Sequence, residues 1–85
     1  MTVVERQLCD YVADREAGAL PGHQESRLGK FFSYLFEAIA HADAENIAKL
    51  RGPYPEHVRL WNQRKAASDM WPRLRREYRS ARGEL

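Results

Sequence analysis

The chain has 85 residues, of which 44% are hydrophobic and 11% aromatic, and this supply of core-forming side chains excludes a disordered protein. Residues 1–43 hold four Lys or Arg against seven Asp or Glu, whereas residues 44–85 hold ten against five. Positive charge concentrated in one half favours the binding of a polyanion or an acidic surface over catalysis. With Cys9 as its single cysteine, no signal peptide and no apolar run long enough for a bilayer, we expect one domain over residues 1–85 in a reducing cytoplasm.

The first predicted helix begins at a capping box, because Thr2 and Glu5 have the spacing at which each side chain bonds the other's backbone N–H. Apolar residues then recur at three- and four-residue steps to about Ala17, as in a helix with one buried face. These residues are Val4, Leu8, Tyr11 and Val12. A turn is expected to follow at three helix-breaking residues, Gly18, Pro21 and Gly22.

A second, strongly amphipathic helix is predicted from about Gln24. Its apolar residues fall on one stripe of a 3.6-residue period: Leu28, Phe31, Phe32, Leu35, Phe36 and Ile39. Because the same phase continues through Leu50, we expect one long helix to Arg51. The alternative is a break at Asp43, whose carboxylate would cap a new helix. In an unbroken helix, Asp43 and Asn46 would be polar groups beside the core.

Two further helices are predicted in the second half of the chain. Glycine and proline enforce a turn at three positions, Gly52, Pro53 and Pro55. The next helix runs to about Ala67 with Val58 and Trp61 on its inner face. Ser68 or Asp69 then caps a last helix, which buries Met70, Trp71, Leu74 and Tyr78.

This last helix is expected to end at about Ser80, and residues 81–85 are expected to fray. With helical periodicity throughout and strand alternation nowhere, the sequence predicts an all-α fold. The architecture is a small bundle of four to five helices with short connections.

The last helix carries the densest cluster of charge in the chain, the five arginines Arg73, Arg75, Arg76, Arg79 and Arg82. Helical spacing puts Arg75, Arg79 and Arg82 along one face, with Arg73 and Arg76 on its flanks. Such a basic ridge can bind phosphates or clamp carboxylates. The alternative is a solvated outer face that keeps a small bundle soluble, with positive charge favoured at a helix C-terminus.

A DNA-reading helix-turn-helix is a second candidate site. Its packing positions would be filled by Ile47, Ala48, Gly52, Val58 and Trp61. The helix after the turn would then expose Glu56 and His57 together with Arg59, Asn62 and Gln63, the last three being residue types that read base edges. Glu56 would repel phosphate, and two prolines occupy the turn, so a plain helical hairpin is the preferred interpretation.

Most aromatic residues are expected in the core, namely Phe31, Phe32, Phe36, Trp61 and Trp71. The aromatic residues of the second helix nevertheless cover more than one face, so part of that surface is expected to be exposed or shared with a partner chain, including a second copy. Tyr34 and Tyr54 are the predicted interface anchors, because tyrosine combines contact area with a polar tip.

No catalytic residue, metal ion or cofactor is predicted. His23, His41 and His57 include no pair at the i, i+4 spacing that binds a metal on a helix. Cys9 has no activating base nearby in the sequence and is expected to be a small buried apolar residue.

The segment from Gly29 to Leu50, followed by Tyr54-Pro55-Glu56 and Val58, resembles small uncharacterised proteins of bacteriophages and mobile elements. The resemblance rests on the Phe-Phe/Leu-Phe stripe, on Ala42-Asp43 and Asn46, and on the Tyr-Pro-Glu start of a helix, and it covers about a third of the chain. Proteins of this kind are often inhibitors of host defence, including anti-CRISPR proteins, or small transcriptional regulators.

Three hypotheses follow from the residues and this resemblance. The favoured one is a protein that docks on a host protein or nucleoprotein complex in the bacterial cytoplasm, using the arginine ridge with help from exposed aromatics. The alternatives are a DNA-binding regulator that uses the hairpin of residues 44–66 and a self-associating virion or assembly component.

Overall fold

The computed structural model describes residues 1–20, 23–66 and 69–83, and these ranges contain five α-helices and no strand. The prediction of a small all-α bundle is therefore confirmed. The helices are α1 (Val3–Glu16), α2 (Lys30–His41), α3 (Ala44–Arg51), α4 (Pro55–Lys65) and α5 (Met70–Ala81). Three sequence expectations concern residues outside the described ranges: the breakers Pro21 and Gly22, the helix end and cap at Ala67 and Ser68, and the end of the tail at 84–85.

Helix α1 begins as the capping box predicts. The Thr2 hydroxyl accepts a hydrogen bond from the Glu5 backbone N–H at 3.1 Å, and the Glu5 carboxylate accepts one from the Thr2 N–H at 2.6 Å. The two side chains thus satisfy two N–H groups that have no partner inside the helix. Past the end of α1, Gly18 has φ +78°, the left-handed conformation that glycine adopts without steric cost.

Helix α2 begins at Lys30, six residues later than the periodicity predicted. The Asp14 carboxylate accepts hydrogen bonds from the backbone N–H groups of Arg27 and Leu28, at 2.7 and 3.1 Å, and from the Ser26 hydroxyl at 2.7 Å. Because a side chain of α1 takes these donors, the segment before α2 is held as turns. Leu28 is buried with the core but lies outside the helix.

The prediction of one unbroken helix from about Gln24 to Arg51 is wrong, because α2 ends at His41 and α3 begins at Ala44. Asp43 has extended backbone, with φ −77° and ψ 178°, and its carboxylate accepts the Asn46 N–H at 2.9 Å. The cap gives α3 its own start. Asp43 and Asn46 are both exposed, so they are not polar groups near the core.

Helix α4 lies at the centre of the bundle and packs against all four other helices. Tyr54 precedes it and Pro55 is its first residue, where the missing N–H of proline costs nothing. At the start of α5, Asp69 stands at the cap position, but among the described residues no N–H donates to its side chain. The last turn of α5 is followed by Arg82 and Gly83.

The main core lies between α1, α2 and α4, with Phe36, Leu8 and Leu60 among its most buried residues. A smaller cluster of Cys9, Leu74 and Tyr78 attaches α5 to α1. Within the described ranges, no helix has the length and apolar character needed to cross a membrane.

Candidate functional site

Two of the five arginines near the C-terminus lie close to carboxylates of α1. Arg75 donates from Nη2 to Oε1 of Glu16 at 2.7 Å, and Nη1 of Arg82 lies 3.9 Å from Oδ1 of Asp10. Both arginines lie beside the buried row of Leu74 and Tyr78, because a helix turns by about 100° per residue. The expectation of a single solvated ridge of five arginines is therefore not met at Arg75, which is half-buried and paired, whereas Arg82 is exposed.

The other three arginines form an exposed surface on α5, named here the arginine face and made of Arg73, Arg76 and Arg79. In the part of the chain that the structure describes, none of them pairs with a carboxylate. Glu77 is the one acidic residue of α5, and its carboxylate lies 3.5 Å from the amino group of Met1. The arginine face therefore keeps its positive charge uncompensated.

A buried hydrogen-bond network fixes the position of α5. The Tyr78 hydroxyl donates to the Asp10 carboxylate and accepts from Nη1 of Arg27 at 3.2 Å. Burial, and then the hydrogen bond to Asp10, raise the pKa of Tyr78, so the phenol stays protonated and donates. Sequence analysis missed this role of Asp10, because nothing in the local pattern of α1 relates it to a tyrosine 68 residues away.

On the candidate DNA-reading face of α4, Arg59 is hydrogen-bonded to two other side chains of the same helix. The Arg59 guanidinium donates to both Glu56 oxygens, at 3.1 and 2.7 Å, and to Oε1 of Gln63 at 3.1 Å. Asn62 is exposed, as expected, but His57 is buried, with 8% of its surface exposed. Base reading would require the pair of Arg59 and Glu56 to separate first.

His57 is instead a core residue. Its Nε2 lies 2.9 Å from Oε1 of Gln7, and its ring stacks on Phe32 with the centroids 5.5 Å apart and the planes at 5°. Since the Gln7 oxygen can only accept, the proton of this bond is carried by Nε2 of His57. Burial lowers the pKa of His57, which favours the neutral ring.

The structure brings the two predicted interface tyrosines to the same cavity. Tyr34 on α2 and Tyr54 before α4 line a cavity of about 650 Å³ together with Lys30, Phe31 and Leu35. Phe31 was expected in the core, but 59% of its surface is exposed, and 54% of Tyr34 is exposed. The ring centroids of Phe31 and Tyr54 are 6.0 Å apart. Phe31, Tyr34 and Tyr54 are called the aromatic surface below.

The arginine face and the aromatic surface are separate. Helix α2 packs against α1 and α4, and helix α5 packs against the same two helices. Contacts between α2 and α5 are not among the main helix contacts. The exposed aromatics Phe31 and Tyr34 therefore lie on a different helix from the arginine face.

The single cysteine of the chain, Cys9, is buried. Burial, followed by the charges of Asp10 and Glu5, raises the pKa of the Cys9 thiol from 9.0 to about 12, so it stays protonated at neutral pH. The described ranges contain no cluster of three or more His, Cys, Asp or Glu that could hold a metal ion.

The chain matches no protein-family model, no curated protein and no solved structure.

Proposed function

We propose that this protein acts by binding, and that it docks its arginine face on the anionic surface of a host nucleoprotein complex. The observation that carries the proposal is the division of the α5 arginines. Arg75 and Arg82 have carboxylates close by, whereas Arg73, Arg76 and Arg79 are exposed without one in the described ranges. Unpaired guanidinium groups are the ones available for phosphates or carboxylates of a partner.

The spacing of the arginine face suits a chain of phosphates. From Arg73 to Arg79, six residues rise about 9 Å along the helix axis. One strand of a duplex carries one phosphate per about 3.4 Å of the duplex axis, so a row of this length can reach more than one phosphate. The resemblance to phage and mobile-element proteins makes a nucleic-acid-handling defence complex the proposed target. Inhibition of such a complex needs only a surface that is complementary to this anionic surface and covers it.

The first test is a triple substitution of the arginine face, Arg73→Gln, Arg76→Gln and Arg79→Gln. Glutamine keeps helix propensity while removing the charge. Binding to a fluorescent single-stranded oligonucleotide is measured by anisotropy over a range of salt concentrations. For three phosphate contacts at about 0.7 each, the logarithm of the association constant should fall with a slope of about 2 against the logarithm of salt. The triple variant should lose both binding and slope.

A second triple variant that removes the same amount of charge elsewhere distinguishes binding by the arginine face from general electrostatic attraction of the protein to nucleic acid. Arg6, Arg51 and Lys65 are also exposed and without an ion-pair partner among the described residues. Changing these three to Gln lowers the net charge by the same three units and should leave most of the binding. Equal losses in both triples would refute the proposal. Both proteins are then compared in affinity capture from nuclease-treated host lysate, where only the control should retain a defined complex.

Self-association is a second candidate function, and the aromatic surface favours it. More than half of Phe31 and of Tyr34 is exposed, and such surface is commonly buried against a partner. If a second copy covers it, light scattering should show a dimer that Phe31→Ser with Tyr34→Ser converts to a monomer. Val3→Ser changes an even more exposed apolar residue elsewhere and should leave the dimer intact. A monomer at all concentrations would exclude this candidate.

A further inference from the structure

A cleft between α1, α2, α4 and α5 has the features of a small-molecule site. Its volume is about 530 Å³, within the usual range for ligand pockets of about 300–1,000 Å³. The titratable residues that line it are Tyr11, Arg15, Glu16, His41, Arg64 and Arg75. None of them belongs to the arginine face, so the site is independent of the docking proposed above.

Arg64 is the residue that points to a ligand. The carbon at the centre of its guanidinium lies 5.1 Å from the ring centroid of Trp61 and 5.3 Å from that of Trp71. Its Nε is buried, and no atom of the described residues accepts a hydrogen bond from it. No carboxylate in the described ranges pairs with the guanidinium either. A buried donor without an acceptor costs free energy that a ligand oxygen would recover.

The other two arginines of the cleft are held in place by their own carboxylates. Arg75 pairs with Glu16 at 2.7 Å. Arg15 contacts Glu37 and also donates to the Tyr11 hydroxyl at 2.8 Å, while that hydroxyl donates to Glu37 at 2.7 Å. Burial by itself raises the pKa of Glu37, but the hydrogen bonds from Tyr11 and Arg15 lower it overall, so the carboxylate stays ionised. Arg64 therefore supplies the uncompensated positive charge.

We infer that this cleft binds a small phosphorylated molecule, with the phosphate on Arg64 and the rest of the ligand against Trp61. A phosphate monoester offers three terminal oxygens and a charge of about −1.5 to −2, so it can pair with the uncompensated guanidinium of Arg64 and accept further hydrogen bonds inside the cleft. A ligand carboxylate has two oxygens and one charge, and carboxylates of the protein, Glu16 and Glu37, already pair with Arg75 and Arg15. The Trp61 indole adds an apolar wall beside the charged end.

The two tryptophans of the chain provide the measurement, since both contact Arg64. Tryptophan fluorescence of the whole protein is followed during titration with ribose 5-phosphate, above the second phosphate pKa of about 6. We expect a saturable change, with a weaker one for inorganic phosphate. Ribose, succinate and sodium chloride at matched ionic strength should give none. A response to sodium chloride of the same size, or equal binding of succinate, would overturn the inference.

Arg64→Lys keeps the charge but loses the two-pronged geometry, so affinity for ribose 5-phosphate should fall about tenfold or more. Arg59→Lys makes the same change on the exposed side of α4 and should bind like the parent. Unchanged affinity in Arg64→Lys would refute the assignment. If that variant does not fold, the NMR resonance of the Arg64 Nε–H group in the parent protein decides instead. It should shift with inorganic phosphate, and a stationary resonance would overturn the inference.

Discussion

Asp14 is the residue whose removal should damage the fold most clearly. Its side chain lies on α1 and 6% of its surface is exposed. The carboxylate accepts two backbone N–H groups, from Arg27 and Leu28, and the Ser26 hydroxyl. In Asp14→Ala these three donors lose their acceptor while the segment that carries them stays packed against the core.

The expected loss follows from that count. A buried donor left without a partner costs about 1–3 kcal/mol, and the Ser26 hydroxyl keeps its second contact to the Leu28 carbonyl at 2.7 Å. The buried Leu28 N–H and the partly buried Arg27 N–H therefore predict a loss of roughly 1–4 kcal/mol in the free energy of unfolding. A domain of this size is stable by roughly 4–13 kcal/mol, so the variant should lose a large share of its stability.

Urea unfolding followed by circular dichroism measures this free energy. Asp14→Asn retains one carbonyl oxygen and should lie between the parent and the alanine variant. Glu25→Ala removes an exposed carboxylate close by and should change stability by less than about 0.5 kcal/mol. If Asp14→Ala were as stable as Glu25→Ala, the proposed role of the three hydrogen bonds would be wrong. The aromatic surface would also shift in Asp14→Ala, because the held segment leads directly into α2.

Three further predictions concern pH and capping. Burial raises the pKa of Cys9 from 9.0 and that of Tyr11 from 10.0, each to about 12. The protonated groups therefore contribute their full stability to the fold below pH 9. Above the pKa that each group has in the unfolded chain, the free energy of unfolding falls by about 1.4 kcal/mol per pH unit for each group, until the pH approaches 12. Urea midpoints at pH 8 to 11 measure this loss, and Cys9→Ala should reduce the slope between pH 9 and 10; an unchanged slope would contradict the assignment. Burial lowers the pKa of His57, so its contribution is present above pH 6.5 and declines as pH falls below that value, and His57→Gln should remove this part of the acid dependence. Asp43→Ala should cost about 1 kcal/mol in urea unfolding because it removes the cap of α3, and no loss would show that α3 starts without it.

Signals that act within a few residues were sufficient for much of the fold. The capping box of Thr2 and Glu5 set the start of α1, and Pro55 set the start of α4, as predicted. The helical phase of the hydrophobic residues was insufficient to decide whether the chain forms one helix or two between Lys30 and Arg51. The phase through Leu50 fits a continuous helix as well as it fits α2 and α3, and the Asp43 cap decided between them.

The sequence by itself determined that this is a helical bundle with a basic last helix, because helix periodicity, caps and charge density are local properties. Only the tertiary structure decided which arginines are available. Glu16 reaches Arg75 across 59 residues, and Asp10 lies beside Arg82, so α1 neutralises the inner side of α5 and leaves Arg73, Arg76 and Arg79 exposed. Ion pairing depends on which helices meet in space, and spacing along one helix does not contain that information.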